Sequence, residues 1–173
     1  ARNVGAGAGA RVVDDRDPRP DFSRANFDNR HALAAGANAD IWRGLGGGFV
    51  FRYYSGYPIN ETVGSDVNGD GDNTDRPIAG VHDLTQPILS ALDSSGRAIR
   101  NGIQGEDRLL LDGRFQYIFR FSRYQAGMFL ELYNLTNRVN FGDPTGNRNS
   151  RNFMVPITAG EPRTMQIGLR LTF

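Results

Sequence analysis

The 173-residue sequence sets 20 basic against 19 acidic side chains, and a formal charge of +1 leaves no bulk field to recruit nucleic acid or an anionic surface. Cysteine is absent, which removes disulfide frameworks, thiolate zinc sites and cysteine nucleophiles together. No run reaches the roughly 18 apolar residues of a membrane-spanning helix, whereas the strands of a membrane barrel need only about 9–11 alternating residues each.

The first ten residues are small and glycine-rich. Gly5 to Ala10 fits a G-x-G-x-x-A dinucleotide fingerprint, but Arg11 to Pro18 behind it is no amphipathic helix, so the stretch reads as a loop or strand end. Residues 14–29, rich in Asp, Arg and Pro, read as solvated loop, and 1–29 together form an N-terminal loop or strand remnant. From Arg30 to Trp42, His31, Leu33, Ala35, Ala37, Ala39 and Ile41 alternate with Arg30, Asn38 and Asp40, which predicts a first strand. Arg43 to Gly48 is a glycine-rich turn. Phe49, Phe51, Tyr53 and Ser55 then alternate with Val50, Arg52 and Tyr54 as far as Ile59, a second strand closing a hairpin. Residues 60–106 form a long polar connection, with one possible helical turn at Pro87 to Leu92.

The strongest alternation follows. Leu109, Leu111, Phe115, Tyr117, Phe119 and Phe121 share one face with Gly113, opposite Asp112, Arg114, Gln116 and Arg120. Ser122 to Tyr124 is a short turn. A fourth strand begins at Gln125, sets Ala126, Met128, Leu130 and Leu132 against Phe129, Glu131 and Tyr133, and ends near Asn137. A second long polar loop covers 138–163. In the final segment Met165, Ile167, Leu169, Leu171 and Phe173 alternate with Gln166, Gly168, Arg170 and Thr172. The fold class expected is therefore all-β, an antiparallel up-and-down meander of about five strands. Short turns at 43–47 and 122–124 alternate with long loops at 60–106 and 138–163, as periplasmic turns and external loops do in outer-membrane barrels. Trp42, Phe121, Tyr124 and Phe173 fall at one level, and Tyr53, Tyr54 and Tyr57 near the other, the distribution of two aromatic girdles. An aromatic last residue inside such a strand is unusual for a soluble domain.

The last strand resembles the C-terminal signal of outer-membrane β-barrel proteins, with Gln166, Gly168, Leu171 and Phe173 at its positions. A wider resemblance covers Asp21 to Phe173. Phe27-Asp28-Asn29-Arg30-His31, Tyr57-Pro58-Ile59, the Asn/Gly/Asp repeats from Asp66 to Pro77, Glu131 to Phe141 and the final Gly168 to Phe173 are similar to the C-terminal end of TonB-dependent receptors of the Oar-like type. The resemblance implies a fragment of a large transmembrane β-barrel in the cell outer membrane, with five of roughly 22 strands present. It implies outer-membrane lipid and the barrel-assembly machinery as partners, TonB only through a plug region N-terminal to these residues, and no catalysis by this segment. With Ala1 not preceded by Met, the chain is expected to be a C-terminal fragment or a processed product.

One run carries possible metal chemistry. Asp66, Asn68, Asp70 and Asp72 stand at the alternating spacing of an EF-hand loop, with Gly71 at the turn, although Pro77 occupies the twelfth position where a bidentate carboxylate belongs. Calcium is thus the one cofactor the sequence admits, beside the reading of a solvated, turn-rich loop. Only two histidines occur, His31 and His82, and neither a nucleophile elbow nor a histidine ligand pair appears. Arg52, Asp112, Arg114, Arg120, Glu131 and Arg170 would face a wet lumen, there to be solvated, to contact a plug or to line a solute path. The alternative is a secreted or cell-surface β-sandwich binding module with a calcium-stabilised loop; a smaller porin or barrel enzyme is a third reading.

Overall fold

The structure is a computed structural model that describes residues 2–3, 12–14, 16–82 and 85–173. The fingerprint-like Gly5 to Ala10 lies outside them. In chain order the strands are β1 Arg2–Asn3, β2 Ser23–Arg24, β3 Ala32–Trp42, β4 Leu45–Tyr54, β5 Pro58–Ile59, β6 Ile103–Gln104, β7 Arg108–Phe121, β8 Tyr124–Tyr133 and β9 Thr164–Thr172. A single 3-10 turn at Arg19–Asp21 is the one helical element among the described residues. The protein is all-β, and its main sheet is a five-stranded antiparallel meander in the order β3-β4-β7-β8-β9.

The chain divides into two compact units. One, the loop unit, comprises residues 1–30, 56–106 and 142–158. The other, the sheet unit, comprises 31–55, 107–141 and 159–173 and contains the meander.

In the sheet unit the strands begin and end where backbone chemistry dictates. Arg43 (φ 31°) and Gly44 (φ 95°) both lie at positive φ, so two residues close the first hairpin as the twist of paired strands favours. Gly46, Gly47 and Gly48, expected in the turn, instead belong to β4, opposite Gln116, Phe115 and Arg114. Glycine is required there by proximity: a Cβ on Gly48 would stand 2.9 Å from the Ala37 carbonyl oxygen, and one on Gly47 3.1 Å from the Phe115 ring. Asn134 stops β8 at Tyr133, three to four residues short of the expected end. It adopts φ 49°, and its amide side chain donates to the carbonyls of Arg138 (2.9 Å) and Glu161 (3.1 Å). The second strand also ends early, at Tyr54, and Pro58–Ile59 pairs instead with β6 in the loop unit.

Register puts the apolar residues on one face. Ala37, Phe49, Gly113, Leu132 and Met165 form one row across all five strands, and Tyr117, Met128 and Leu169 belong to another. Among the described residues no second layer covers this face: Phe115 is 46% exposed, Phe121 59%, Ile167 65% and Leu169 77%. The buried hydrophobic residues, Val13, Ala25, Ile59 and Ala98, all belong to the loop unit. A sheet is ordinarily stable when its apolar face is covered, and this one presents that face exposed.

The loop unit inverts the pattern. Its fully buried side chains include Glu61 and Asn101. The Glu61 carboxylate accepts the backbone amides of Leu89 (3.0 Å) and Ser90 (2.8 Å) and pairs with Arg148, whose guanidinium also reaches the carbonyls of Gln86 and Pro87 and stacks on Phe153. The helical turn expected at Pro87 to Leu92 is absent, and the Leu89 and Ser90 amides there donate to that carboxylate. Asp93 closes a further turn through the amides of Ser95 and Arg97 and the Ser95 hydroxyl.

Candidate functional site

The polar face of the sheet gathers most of the charged residues singled out above. The row Asn38, Gly48, Arg114, Glu131 and Gln166 crosses the five strands. Arg114 donates to Glu131 directly opposite at 3.1 Å, and the second Glu131 oxygen accepts the Tyr133 hydroxyl at 3.2 Å. One register step away Arg52 pairs with Asp112, whose other oxygen accepts the Asn134 amide at 3.0 Å. Cross-strand pairs, direct as in Arg114 and Glu131 or diagonal as in Arg52 and Asp112, contribute on the order of 0.2–1 kcal/mol each, so they fix register more than they supply stability.

Between these pairs the face is hollow. A concavity of about 620 Å³ is lined by Asn38, Asp40, Asp112, Arg114, Gln116 and Glu131 among others, its floor lowered by Gly36 and Gly48. A second hollow of about 710 Å³ shares Arg114 and Gln116 and continues to Phe129 and Arg170. Together they make a wet trough with both signs of charge along its walls. Such a surface can hydrogen-bond water, polar protein or a polar solute.

Of the proposed C-terminal signal, Gln166 stands opposite Glu131 in the polar row, and Leu171 stands opposite Ala126 on the exposed apolar face. Phe173 is 97% exposed just past β9. Gly168 has a local reason to be glycine. It lies opposite Phe129, and a Cβ there would come within 2.0 Å of that ring, which in turn carries the Arg114 guanidinium at 4.9 Å. Phe129 was read from sequence only as the wet-face partner of an alternation; its place over a glycine would have been legible only with the register in hand.

The acidic loop folds on itself. Asp66 accepts the amides of Gly69 (2.7 Å) and Gly71 (2.9 Å), Asn68 the amide of Asp70 (2.9 Å), and Asp70 the amide of Asp72 (2.9 Å). Asp75 accepts from Val67 (2.7 Å) and Asn68, and Asn68 donates to the Val13 carbonyl (2.7 Å). These oxygens close turns on backbone N–H groups, and among the described residues no three His, Asp or Glu side chains converge as metal ligands. In this arrangement these oxygens cap turns.

Sequence reading missed the buried groups that pin the loops. Besides Glu61 and Arg148, Asn140 both accepts from the Leu109 amide (2.8 Å) and donates to the Leu109 carbonyl (3.0 Å), tying the segment after β8 to the start of β7. Neither follows a period, and isolated polar residues in a polar loop carry no signal of burial.

No protein-family model, no curated protein and no solved structure matches the chain.

Proposed function

We propose that the chain is the C-terminal part of a TonB-dependent transporter barrel of the outer membrane, of the Oar-like type, serving uptake of a bulky solute and performing no catalysis itself. The observation that carries this reading is the single-layer meander with an uncovered apolar face and a charged, trough-bearing opposite face. In a barrel those two faces meet acyl chains and water respectively. The stagger of the strands supports the same reading. The Ile118 amide donates to the Gly44 carbonyl at 2.8 Å, so β7 runs three residues beyond the β3–β4 turn, as the shear of a tilted barrel wall demands.

Both outer strands, β3 and β9, pair on one side only among the described residues. In this reading their free edges hydrogen-bond to strands outside this chain, because a bilayer satisfies no backbone group. A sandwich built from the same strands would require an apposed layer over residues 109–121 and 165–173, where Phe115, Phe119, Phe121, Met165, Ile167, Leu169 and Leu171 are each at least two-fifths exposed. Gln166, Gly168, Leu171 and Phe173 then serve recognition by the barrel-assembly machinery, with TonB reached only through an N-terminal plug.

The only tryptophan, Trp42, provides the test. It is 63% exposed at the end of β3, with Arg43 over its ring at 5.5 Å. Reconstituted in bilayers, its fluorescence should shift to the blue and be quenched by lipids brominated near the headgroup. Emission unchanged from water, and insensitive to bromine at every depth, would contradict the membrane reading.

A further inference from the structure

The loop unit holds a depression of about 420 Å³ that the barrel reading does not use. Its walls combine aromatic and apolar residues, Phe27, Tyr57 and Ile59, with polar ones, Asn60, Arg100 and Asn101. Arg100 is 4% exposed. Its Nη2 donates only to the Asn26 side-chain oxygen, at 3.3 Å, while Nη1 is buried with no hydrogen-bond partner. No carboxylate lies within ion-pair distance of Arg100 among the described residues. A buried guanidinium left without counter-charge is costly, and structures retain one where something else completes it.

The surroundings deepen the deficit. Arg76, 2% exposed, keeps Nε and Nη1 without partners, and Arg97 keeps Nε so. Burial, and then Arg97 and Arg100 acting against the pull of Asp21, hold the Arg76 proton affinity below that of an ordinary arginine. Asp21 offers no relief to Arg100, since its oxygens are taken by the Val13 amide at 2.7 Å and by Arg76 at 3.6 Å.

We propose that this depression binds a small molecule bearing one carboxylate on a ring-sized apolar body. The carboxylate takes the unpaired Nη1 edge of Arg100 in a charge-assisted pair beside the Asn60 side chain, and the apolar body lies against Phe27, Tyr57 and Ile59. One guanidinium edge, with the Asp21 and Asp143 carboxylates also lining the depression, suits a monoanion and disfavours a dianion such as phosphate. The site belongs to the loop unit alone, so it stands whether or not the sheet meets lipid.

Calorimetry on the full chain in detergent micelles tests this with benzoate, benzamide as its neutral counterpart, and inorganic phosphate. Benzoate should bind saturably, benzamide at least about tenfold more weakly, and phosphate should neither bind nor displace benzoate. Arg100→Gln should weaken benzoate by a similar factor in the same micelles, with Arg100→Lys recovering part of the loss. Should Arg100→Gln fail to fold, the comparison of benzoate with benzamide on the unaltered chain decides. Equal binding of the two, no benzoate heat at all, or equal competition by phosphate would overturn the proposal.

Discussion

The two units distribute polarity in opposite directions. In the loop unit Glu61, Asn101, Arg76 and Arg100 are buried alongside Val13, Ala25, Ile59 and Ala98. In the sheet unit leucine, isoleucine, methionine and phenylalanine are the exposed ones, on a sheet with no second layer. A chain folding wholly for water would place them the other way round. The contrast teaches that one sequence can organise two units differently: the loop unit by satisfying backbone amides, and the sheet unit by strand pairing that leaves its apolar side chains exposed.

The strongest way to break the comparison is to remove the charge at the centre of the loop unit. Glu61→Ala leaves Arg148 buried without its partner and frees the Leu89 and Ser90 amides, and should cost about 3–5 kcal/mol. Limited proteolysis should then cut within 86–90 while β7 to β9 stay protected. Uniform loss of protection in both units would mean that they do not stand separately.

The sheet unit is challenged from its other side. Leu169→Arg on the uncovered face should cost about 2–4 kcal/mol of folding stability in a bilayer if its depth is near the midplane. Arg170→Gln, on the wet face one residue on, should change it by well under that. Urea titration in lipid vesicles reads both, and equal costs would erase the distinction between faces.

A smaller effect separates packing from signalling at Gly168. Gly168→Ala forces the Phe129 ring aside and should cost about 1–3 kcal/mol. If the glycine is required for its lack of a side chain, Gly168→Ala combined with Phe129→Leu should regain folding in vesicles that contain no assembly machinery. No recovery would return Gly168 to recognition alone.

The smallest effect is acidic. A hydrogen bond from the Arg19 side chain holds Asp17 at about 2, and one from Arg24 lowers Asp28. At Asp93 burial pushes upward, but hydrogen bonds from Ser95 and Arg97 outweigh it and the shift is downward. Depressed carboxylates contribute stability that is present above their unfolded pKa, near about 4, and is lost as pH falls through the folded value. The loop unit should therefore hold its amide dispersion in NMR spectra at pH 4 and lose it progressively toward pH 2. Loss with a midpoint above pH 5 would contradict these pairings.

The strands were legible because period two survives in residues 32–42, 108–121 and 164–172, where each side chain answers to one face. Their ends were less so. Gly46 to Gly48 look like turn residues in a sequence, and only the neighbouring Phe115 ring and Ala37 carbonyl explain why they sit inside β4. Asn134 ends β8 through hydrogen bonds to residues four and 27 positions away, of which sequence gives no sign. The Asp66 run suggested metal ligation by spacing alone. Backbone amides two to five residues onward satisfy the same oxygens, and spacing does not separate those two uses. The loop unit as a compact body was not foreseen, since its buried polar residues follow no period.

Site-directed spin labelling along β7 tests the central claim most directly, and the cysteine-free chain makes each single-cysteine variant clean. In bilayers, labels at 109, 111, 115, 117 and 119 should collide with dissolved oxygen. Labels at 110, 112, 114, 116 and 120 should instead meet a water-soluble nickel chelate, the two accessibilities alternating with period two. Labels at the first set that meet neither reagent would place those side chains against protein, and the membrane-facing wall would be wrong.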